Sequence, residues 1–146
     1  MSKLSFVVAV LALSAGCTQA PPPPARASGP DPKNELPFGF VDSPKTGDGV
    51  DRVVQAYGWA LDDGTIKEIR FFVDGHFVGR TTMTAARPDV EKAYPSYLHG
   101  SLVHGWASPI RLGEAASVGN HIITVQAVDN LDATRDIGTI EVNLGH

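Results

Sequence analysis

The chain has 146 residues, of which 42% are hydrophobic and 19% charged, which is enough apolar material for the core of one small domain. A net charge of −4 excludes a general nucleic-acid binder, because such a protein needs a basic surface to displace phosphate counterions. The single cysteine excludes a disulfide within these residues. The 15 glycines and 11 prolines predict many turns and a low-complexity segment.

The first 16 residues have the pattern of an export signal. Lys3 supplies a positive charge, and residues 4–15 form an apolar stretch. This stretch is too short for a membrane-spanning helix, which needs about 20 residues, but it is typical of a signal-peptide core. Small residues then precede Cys17. This arrangement resembles the lipobox of bacterial lipoproteins, although Ser14 stands where that family prefers leucine.

The lipobox resemblance implies cleavage before Cys17, acylation of its thiol, and anchoring to a membrane outside the cytoplasm. In a host with two membranes, Thr18 after the cysteine resembles the pattern that directs lipoproteins to the outer membrane. The alternative is an ordinary signal peptide cleaved after residues 18–20, for which the following Pro21 is a poor context.

Residues 17–36 are predicted to be the acylated cysteine and a linker. Six prolines and few large apolar side chains occur here, so the segment cannot bury enough surface to offset the entropy of ordering it. The run of four prolines at 21–24 favours polyproline II, which suits a spacer between a membrane and a domain. A proline-rich ligand for another domain is the alternative interpretation.

Residues 37–146 have the short apolar runs, separated by glycine, aspartate and asparagine, of an all-β domain. In chain order we predict strands over residues 38–41, 51–61, 66–74, 76–82, 102–106, 121–128 and 138–144. Asp74-Gly75 predicts a tight hairpin. Residues 87–94 predict one short helix, because proline and acidic residues occupy its first turn and Pro95 stops it.

Apolar and polar residues alternate clearly in three of these strands. We expect the apolar set to face the core, namely Ile69, Phe71, Val73, Ile123, Val125, Ala127, Ile140, Val142 and Leu144. In the strand over 51–61 either face is possible, because Val54, Ala56, Gly58 and Ala60 alternate with Val53, Gln55, Tyr57 and Trp59. Six or seven short strands predict a two-sheet antiparallel β-sandwich with one helical insertion.

Nearly all of this domain resembles a bacterial immunoglobulin-like domain. The resemblance is carried by residues 39–44 (GFVDSP), 57–62 (YGWALD), 73–75 (VDG), 78–79 (VG), 87–90 (RPDV), 94–95 (YP), 105–106 (GW), 119–121 (GNH) and 124–129 (TVQAVD). It implies an accessory or surface module of a secreted protein and no particular chemistry. The cysteine pair of antibody domains is absent, and Trp59 is a candidate for their core tryptophan.

No motif indicates catalysis. Asp62-Asp63 is typical of a turn in which aspartate bonds the backbone, and Ser101 with His104 lacks the glycine-rich surroundings of a catalytic serine. The spacing of the histidines at 76, 99, 104 and 121 does not indicate zinc. We therefore expect no enzyme, no cofactor and no metal site, although the oxygen-rich segment 129–136 leaves calcium open.

Aromatic residues in and after the helical segment are the candidate ligand-binding residues, namely Tyr94, Tyr97 and Trp106. Loops on a rigid sandwich often carry binding sites, and aromatic rings stack on sugars, whereas the plainer interpretation has these rings closing one end of the core. We expect a membrane-anchored, extracytoplasmic lipoprotein that presents a non-catalytic interaction module at the cell envelope to a protein or glycan partner. The alternative is a glycan-binding accessory module that uses the aromatic residues of segment 94–106.

Overall fold

The computed structural model describes residues 33–114 and 116–145. The predicted signal peptide, Cys17 and the linker up to residue 32 lie outside the described residues. Within the described ranges, no helix combines the length and the apolar character that a membrane span requires.

Eight strands and one short helix make up the domain. The strands are β1 (Phe38–Ser43), β2 (Gly49–Val50), β3 (Val53–Leu61), β4 (Ile66–Val73), β5 (His76–Thr81), β6 (Gly105–Arg111), β7 (Gly119–Asp129) and β8 (Thr134–Leu144). Helix α1 (Pro88–Ala93) and a 3₁₀ turn (Pro95–Tyr97) lie between β5 and β6. We call the whole connection, residues 82–104, the insertion.

The strands form two sheets, ordered β1-β3-β6 and β2-β8-β7-β4-β5. Every pairing is antiparallel except that of the two-residue β2 with β8. In the lettering of immunoglobulin domains, this order is A-B-E packed on G-F-C-C′, with β2 as a short addition beside G. The predicted two-sheet sandwich with one helical insertion is confirmed.

The predicted inward faces are confirmed as well. Ile69, Phe71 and Val73 of β4 are at most 6% exposed, and the inward residues of β7 and β8 are buried with them. The hairpin between β4 and β5 turns through Asp74 and Gly75, which both have positive φ. Its Asp74 carboxylate accepts the Ile122 backbone N–H at 2.9 Å and so ties the hairpin to β7.

Trp106 of β6 is the tryptophan of the core. It is 1% exposed, and its ring centroid lies 5.6 Å from that of Phe71 on the opposite sheet. Its direct partner on β3 is Gly58, which is flanked on the same inward face by Ala56 and Ala60, and the small size of these residues makes room for the indole. The expectation that Trp59 takes the core position is wrong, because Trp59 lies on the outer face of β3, half-buried.

The predicted strand over 102–106 is also misplaced, since β6 runs from Gly105 to Arg111. Pro109 within it breaks the alternating sequence pattern. The residue is tolerated because β6 pairs with β3 alone and stands at the edge of its sheet.

The contact between Gly58 and Trp106 is tested by adding one methyl group. A Cβ at position 58 would collide with the Phe40 carbonyl oxygen and come within 2.7 Å of Trp106 Cζ2. We expect Gly58→Ala to lower the free energy of unfolding by about 3 kcal/mol or more, measured by urea denaturation. Gly49→Ala is the control, because a Cβ there meets nothing within 4 Å. Equal losses in the two variants would contradict the packing argument.

Candidate functional site

Four aromatic rings cluster where the insertion meets the sheet β1-β3-β6. The Phe38 ring is central, with centroid distances of 5.4 Å to Tyr94, 4.9 Å to Tyr97 and 6.0 Å to Trp59. Tyr94 and Trp59 also lie 5.4 Å apart. The structure therefore brings the predicted residues Tyr94 and Tyr97 together, and it adds two rings from β1 and β3 that the sequence prediction missed.

An ion pair holds the insertion on β1. The Arg87 guanidinium contacts the Asp42 carboxylate at 2.7 Å and that of Asp89 at 2.6 Å. The hydrogen bonds from Arg87 lower the pKa of Asp89 to about 2. Val90 of α1 is 3% exposed, so the helix has one buried anchor beside this pair. Tyr94 and Tyr97 are thus presented from a fixed segment.

The rings continue from this cluster across the outer face of the sheet. Phe40 is 56% exposed, Tyr57 is 51% exposed and Tyr94 is 37% exposed, while Trp59 beside them is half-buried. Phe40 and Trp59 are direct cross-strand partners. Tyr57 stands opposite Ala107, whose short side chain leaves the ring uncovered. We call Phe40, Tyr57, Trp59 and Tyr94 the aromatic face.

Trp106 does not belong to this face, and its prediction as a ligand-binding residue is wrong. Its ring is buried between the two sheets, and its Nε1 is buried without a hydrogen-bond partner. Such a ring cannot stack on a ligand. The exposed strip therefore extends over β1 and β3 and includes only Tyr94 of the predicted segment 94–106.

Tyr97 has a different role from Tyr94, because it is half-buried and holds the start of the domain. Its hydroxyl donates to the Glu35 carboxylate at 3.1 Å, and this contact raises the pKa of Tyr97. In the same segment, Asn34 Nδ2 donates to Asp129 Oδ2 at 2.6 Å. Residues 34 and 35, which the prediction placed in the linker, are therefore in contact with the domain.

The carboxylates of segment 129–136 are engaged within the protein. Asp129 Oδ1 accepts the N–H groups of Leu131 and Ala133, both at 2.8 Å. Asp132 pairs with Lys67 at 2.6 Å, and Asp136 accepts from Gln126 at 3.1 Å. Among residues 33–114 and 116–145, no three histidine, cysteine, aspartate or glutamate side chains come together as a metal site would need.

The other histidine and serine candidates have structural contacts. His121 lies between the Asp74 carboxylate, at 2.6 Å, and the Ser117 carbonyl oxygen, at 2.7 Å, and these two acceptors raise the pKa of His121. His104 Nε2 is 3.1 Å from the Ser101 carbonyl oxygen, whereas the Ser101 hydroxyl donates to the Val103 carbonyl oxygen. Nucleophilic catalysis would require a hydrogen bond between the serine hydroxyl and the imidazole, and Ser101 and His104 do not form one.

A cavity of about 240 Å³ opens between the insertion and the turn from β3 to β4. We call it the end cavity. Its apolar lining includes Leu61, Ile66, Met83, Leu98 and Val103. Its polar lining comes from Asp62, Thr65, Thr82, Tyr97, Ser101 and His104.

Asp62 is the unusual residue of this cavity. The residue is 2% exposed, and its Oδ2 accepts the Gly64 N–H at 2.8 Å, as expected for aspartate in a turn. Its Oδ1 is buried with no hydrogen-bond partner. Burial raises the pKa of Asp62 to about 6, and the neighbouring carboxylates of Asp129 and Asp63 act in the same direction. The sequence prediction explained the turn but missed the burial.

No protein-family model and no curated protein matches the chain. Solved structures that resemble it include fibronectin(III)-like modules of Clostridium thermocellum CbhA, at 20% identity and a TM-score of 0.48, covering 75% of this chain and 46% of that one. A Jonesia denitrificans lytic polysaccharide monooxygenase matches at 12% identity and a TM-score of 0.44, covering 70% of this chain and 58% of that one. The first immunoglobulin domain of RIG-5 matches at 14% identity and a TM-score of 0.37, covering 77% of this chain and 100% of that one. The chain thus spans about half the length of the first two structures.

The burial of Asp62 predicts a pH-dependent stability. The folded carboxyl keeps its proton up to about pH 6, whereas in the unfolded chain it ionises near ~4. This group therefore lowers the stability as the pH rises from about 4 to about 6. We expect Asp62→Asn to raise the free energy of unfolding by about 1 kcal/mol at pH 7.5 and to leave it unchanged at pH 4.

Chemical denaturation of both proteins at the two pH values measures this difference. Asp51→Asn is the control, because it removes an exposed carboxylate at the other end of β3. An increase in stability from Asp62→Asn that is equally large at pH 4, or an increase of the same size from Asp51→Asn, would contradict the assignment to the buried carboxyl.

Proposed function

We propose that this protein is a non-catalytic binding module, lipid-anchored through Cys17 at the outer side of a cell-envelope membrane, and that its ligand packs on the aromatic face. The observation that supports this function is the exposure of Phe40 and Tyr57 on the paired strands β1 and β3, together with Tyr94 of the insertion, which packs against Trp59 of β3. Single exposed apolar residues are ordinary, but adjacent ones mark interaction surfaces. Aromatic side chains also supply much of the binding energy in interfaces, because each covers a large area at little cost in conformational entropy.

The support beneath these rings suits a binding surface. Phe40 and Tyr57 stand on paired strands, and Trp59 and Phe38 pack against Tyr94 from below and beside it. Rings held on strands lose little freedom when a ligand arrives. A polar rim completes the surface, since the exposed Gln55 and Arg111 lie on the same face of the sheet.

A glycan is the second candidate ligand. Aromatic rings pack against the apolar faces of sugars, while side-chain amides and guanidinium groups bond their hydroxyls. The aromatic face with Gln55 and Arg111 offers both kinds of group within one sheet. A protein partner would use the same rings as anchors in its own pockets.

The proposed anchor allows the module to reach such partners. A polyproline chain as long as the stretch between Cys17 and Lys33 reaches up to roughly 45 Å, at about 3.1 Å per residue. A diacylated or triacylated cysteine holds a protein stably on a bilayer, whereas one acyl chain binds only marginally.

The aromatic face is tested with alanine variants. We expect Phe40→Ala and Tyr57→Ala each to weaken ligand binding about 10-fold or more, because each removes an anchoring ring. Phe77→Ala is the matched control, since Phe77 has the same 56% exposure as Phe40 but lies on the other sheet. Equal losses at Phe40 and Phe77 would contradict the assignment of the site.

Two measurements separate the candidate ligands. Photo-crosslinking residues at positions 57 and 77 on intact cells should give a discrete protein adduct from position 57 alone if the partner is a protein. Retardation in gels containing cell-wall or storage polysaccharides, lost in Tyr57→Ala, would identify a glycan. Failure of both measurements would remove the aromatic face as the binding surface.

The anchor has a separate test. We expect Cys17→Ala to move the protein from the membrane fraction to the soluble extracytoplasmic fraction, because the acylated thiol is its proposed attachment. Cell fractionation with and without metabolic labelling by a fatty acid measures this. Ser14→Ala is the control, and it should keep both label and membrane. Membrane retention of the unlabelled Cys17→Ala variant would contradict the anchor.

A further inference from the structure

The end cavity is a second candidate site, separate from the aromatic face and independent of the function proposed for it. It lies between two parts of the chain: the turn that contains Asp62, Gly64 and Thr65, and the insertion, which contributes Ser101 and His104. The backbone of His104 bonds both sides, since its N–H donates to Ala85 and its carbonyl oxygen accepts from Ala60. The walls are therefore fixed to β3 and to each other.

One buried acceptor in the lining of the cavity lacks a hydrogen-bond donor. Asp62 lines the cavity, its carboxylate is almost completely buried, and one of its two oxygens has no partner. An unpaired buried carboxylate oxygen is costly, because it has lost its hydration and gained no hydrogen bond. A ligand that supplies an N–H group would remove this cost.

The surrounding charge favours a cation over a neutral donor. Asp63 and Asp129 both act on Asp62 as negative charges, and Glu35 lies at the same end of the domain through its contacts with Tyr97 and Asp63. Asp129 is itself fully buried. Several carboxylates around one small space raise the local concentration of cations. The apolar side chains that share the lining suit an organic cation.

The remaining lining limits the size and shape of this cation. About 240 Å³ corresponds to roughly eight water molecules, at about 30 Å³ each, so the cavity holds a small molecule or one side chain. Leu61, Ile66, Met83 and Leu98 give apolar walls that suit a short hydrocarbon body. The Tyr97 ring, also in the lining, can contact an ammonium group through its face.

We propose that the end cavity binds a small primary ammonium group with a short apolar body, with Asp62 as the acceptor. The ammonium donates to the Asp62 carboxylate, and its hydrocarbon part packs between the β3–β4 turn and the insertion. A free amine and a lysine side chain of a partner share this chemistry.

The test uses n-butylammonium as the probe and follows backbone amide shifts of the full-length protein at pH 7.5. We expect saturable shifts at Gly64, Thr65 and Ser101, with a dissociation constant on the order of 1 mM, as suits so small a ligand. n-Butanol, with the same chain but no charge, and tetramethylammonium, with charge but no N–H donor, should bind at least 10-fold more weakly. Equal binding of either compound would overturn the proposal.

Variants assign the binding to Asp62. Asp62→Asn should weaken the binding of n-butylammonium at least 10-fold, while Asp51→Asn, which removes an exposed carboxylate at the other end of β3, should change it less than 3-fold. Thr82→Trp places a large ring at the lining and leaves Asp62 in place, so it should also weaken the binding of n-butylammonium. If Asp62→Asn fails to fold, this second variant tests whether the probe binds in the end cavity. Unchanged affinity in Asp62→Asn or in Thr82→Trp would overturn the site.

A last titration separates the two sources of the ammonium group. Nα-acetyl-lysine N-methylamide should match n-butylammonium if a lysine side chain fits with its backbone outside the cavity. It should bind at least 10-fold more weakly if only a free amine is small enough, and either result supports the ammonium site.

Discussion

The burial of the Trp106 indole between the two sheets determines which side of β3 meets the core. A ring of that size needs small residues opposite it, and β3 supplies them at Ala56, Gly58 and Ala60. The side chains of a strand alternate, so this choice sends Tyr57 and Trp59 outward. The aromatic face is thus a direct consequence of the core packing, because β3 cannot bury its small residues and its aromatic residues at the same time.

The same constraint explains what the sequence could and could not predict. In β4, β7 and β8, large apolar residues alternate with polar ones, so one face is clearly the buried one, and those predictions are confirmed by Ile69, Ile123 and Val142. In β3 the buried face carries small residues and the exposed face carries large aromatic ones, so the strand's own sequence did not show which face is buried. Only the position of Trp106, which is remote in sequence, resolves that choice, and Pro109 obscured the strand in which it lies.

The candidate site was predictable to the extent that it depends on local sequence. Tyr94 and Tyr97 follow a helix whose start and stop signals are explicit, and the structure places both in the aromatic cluster. The positions of Phe40, Tyr57 and Trp59 in the aromatic face depend on how β1 pairs with β3. The alternation of residue types in the sequence did not predict that register. Asp62 has the sequence signature of an ordinary turn residue. Its turn lies against the insertion, which lines the same cavity, and against Glu35, whose N–H donates to Asp63, and these contacts come from parts of the chain remote in sequence.

The segment before β1 marks the end of the domain at which the end cavity lies. The segment at Asn34 and Glu35 joins the domain at the end where Asp129, Tyr97 and the end cavity lie, since it contacts the first two directly. The aromatic face runs along the flank of the sandwich, from Tyr94 near that end toward Tyr57, and so extends away from the end cavity. The size of each site agrees with this placement, because a shallow surface on the flank suits a macromolecule and a space of about 240 Å³ suits an amine or one side chain.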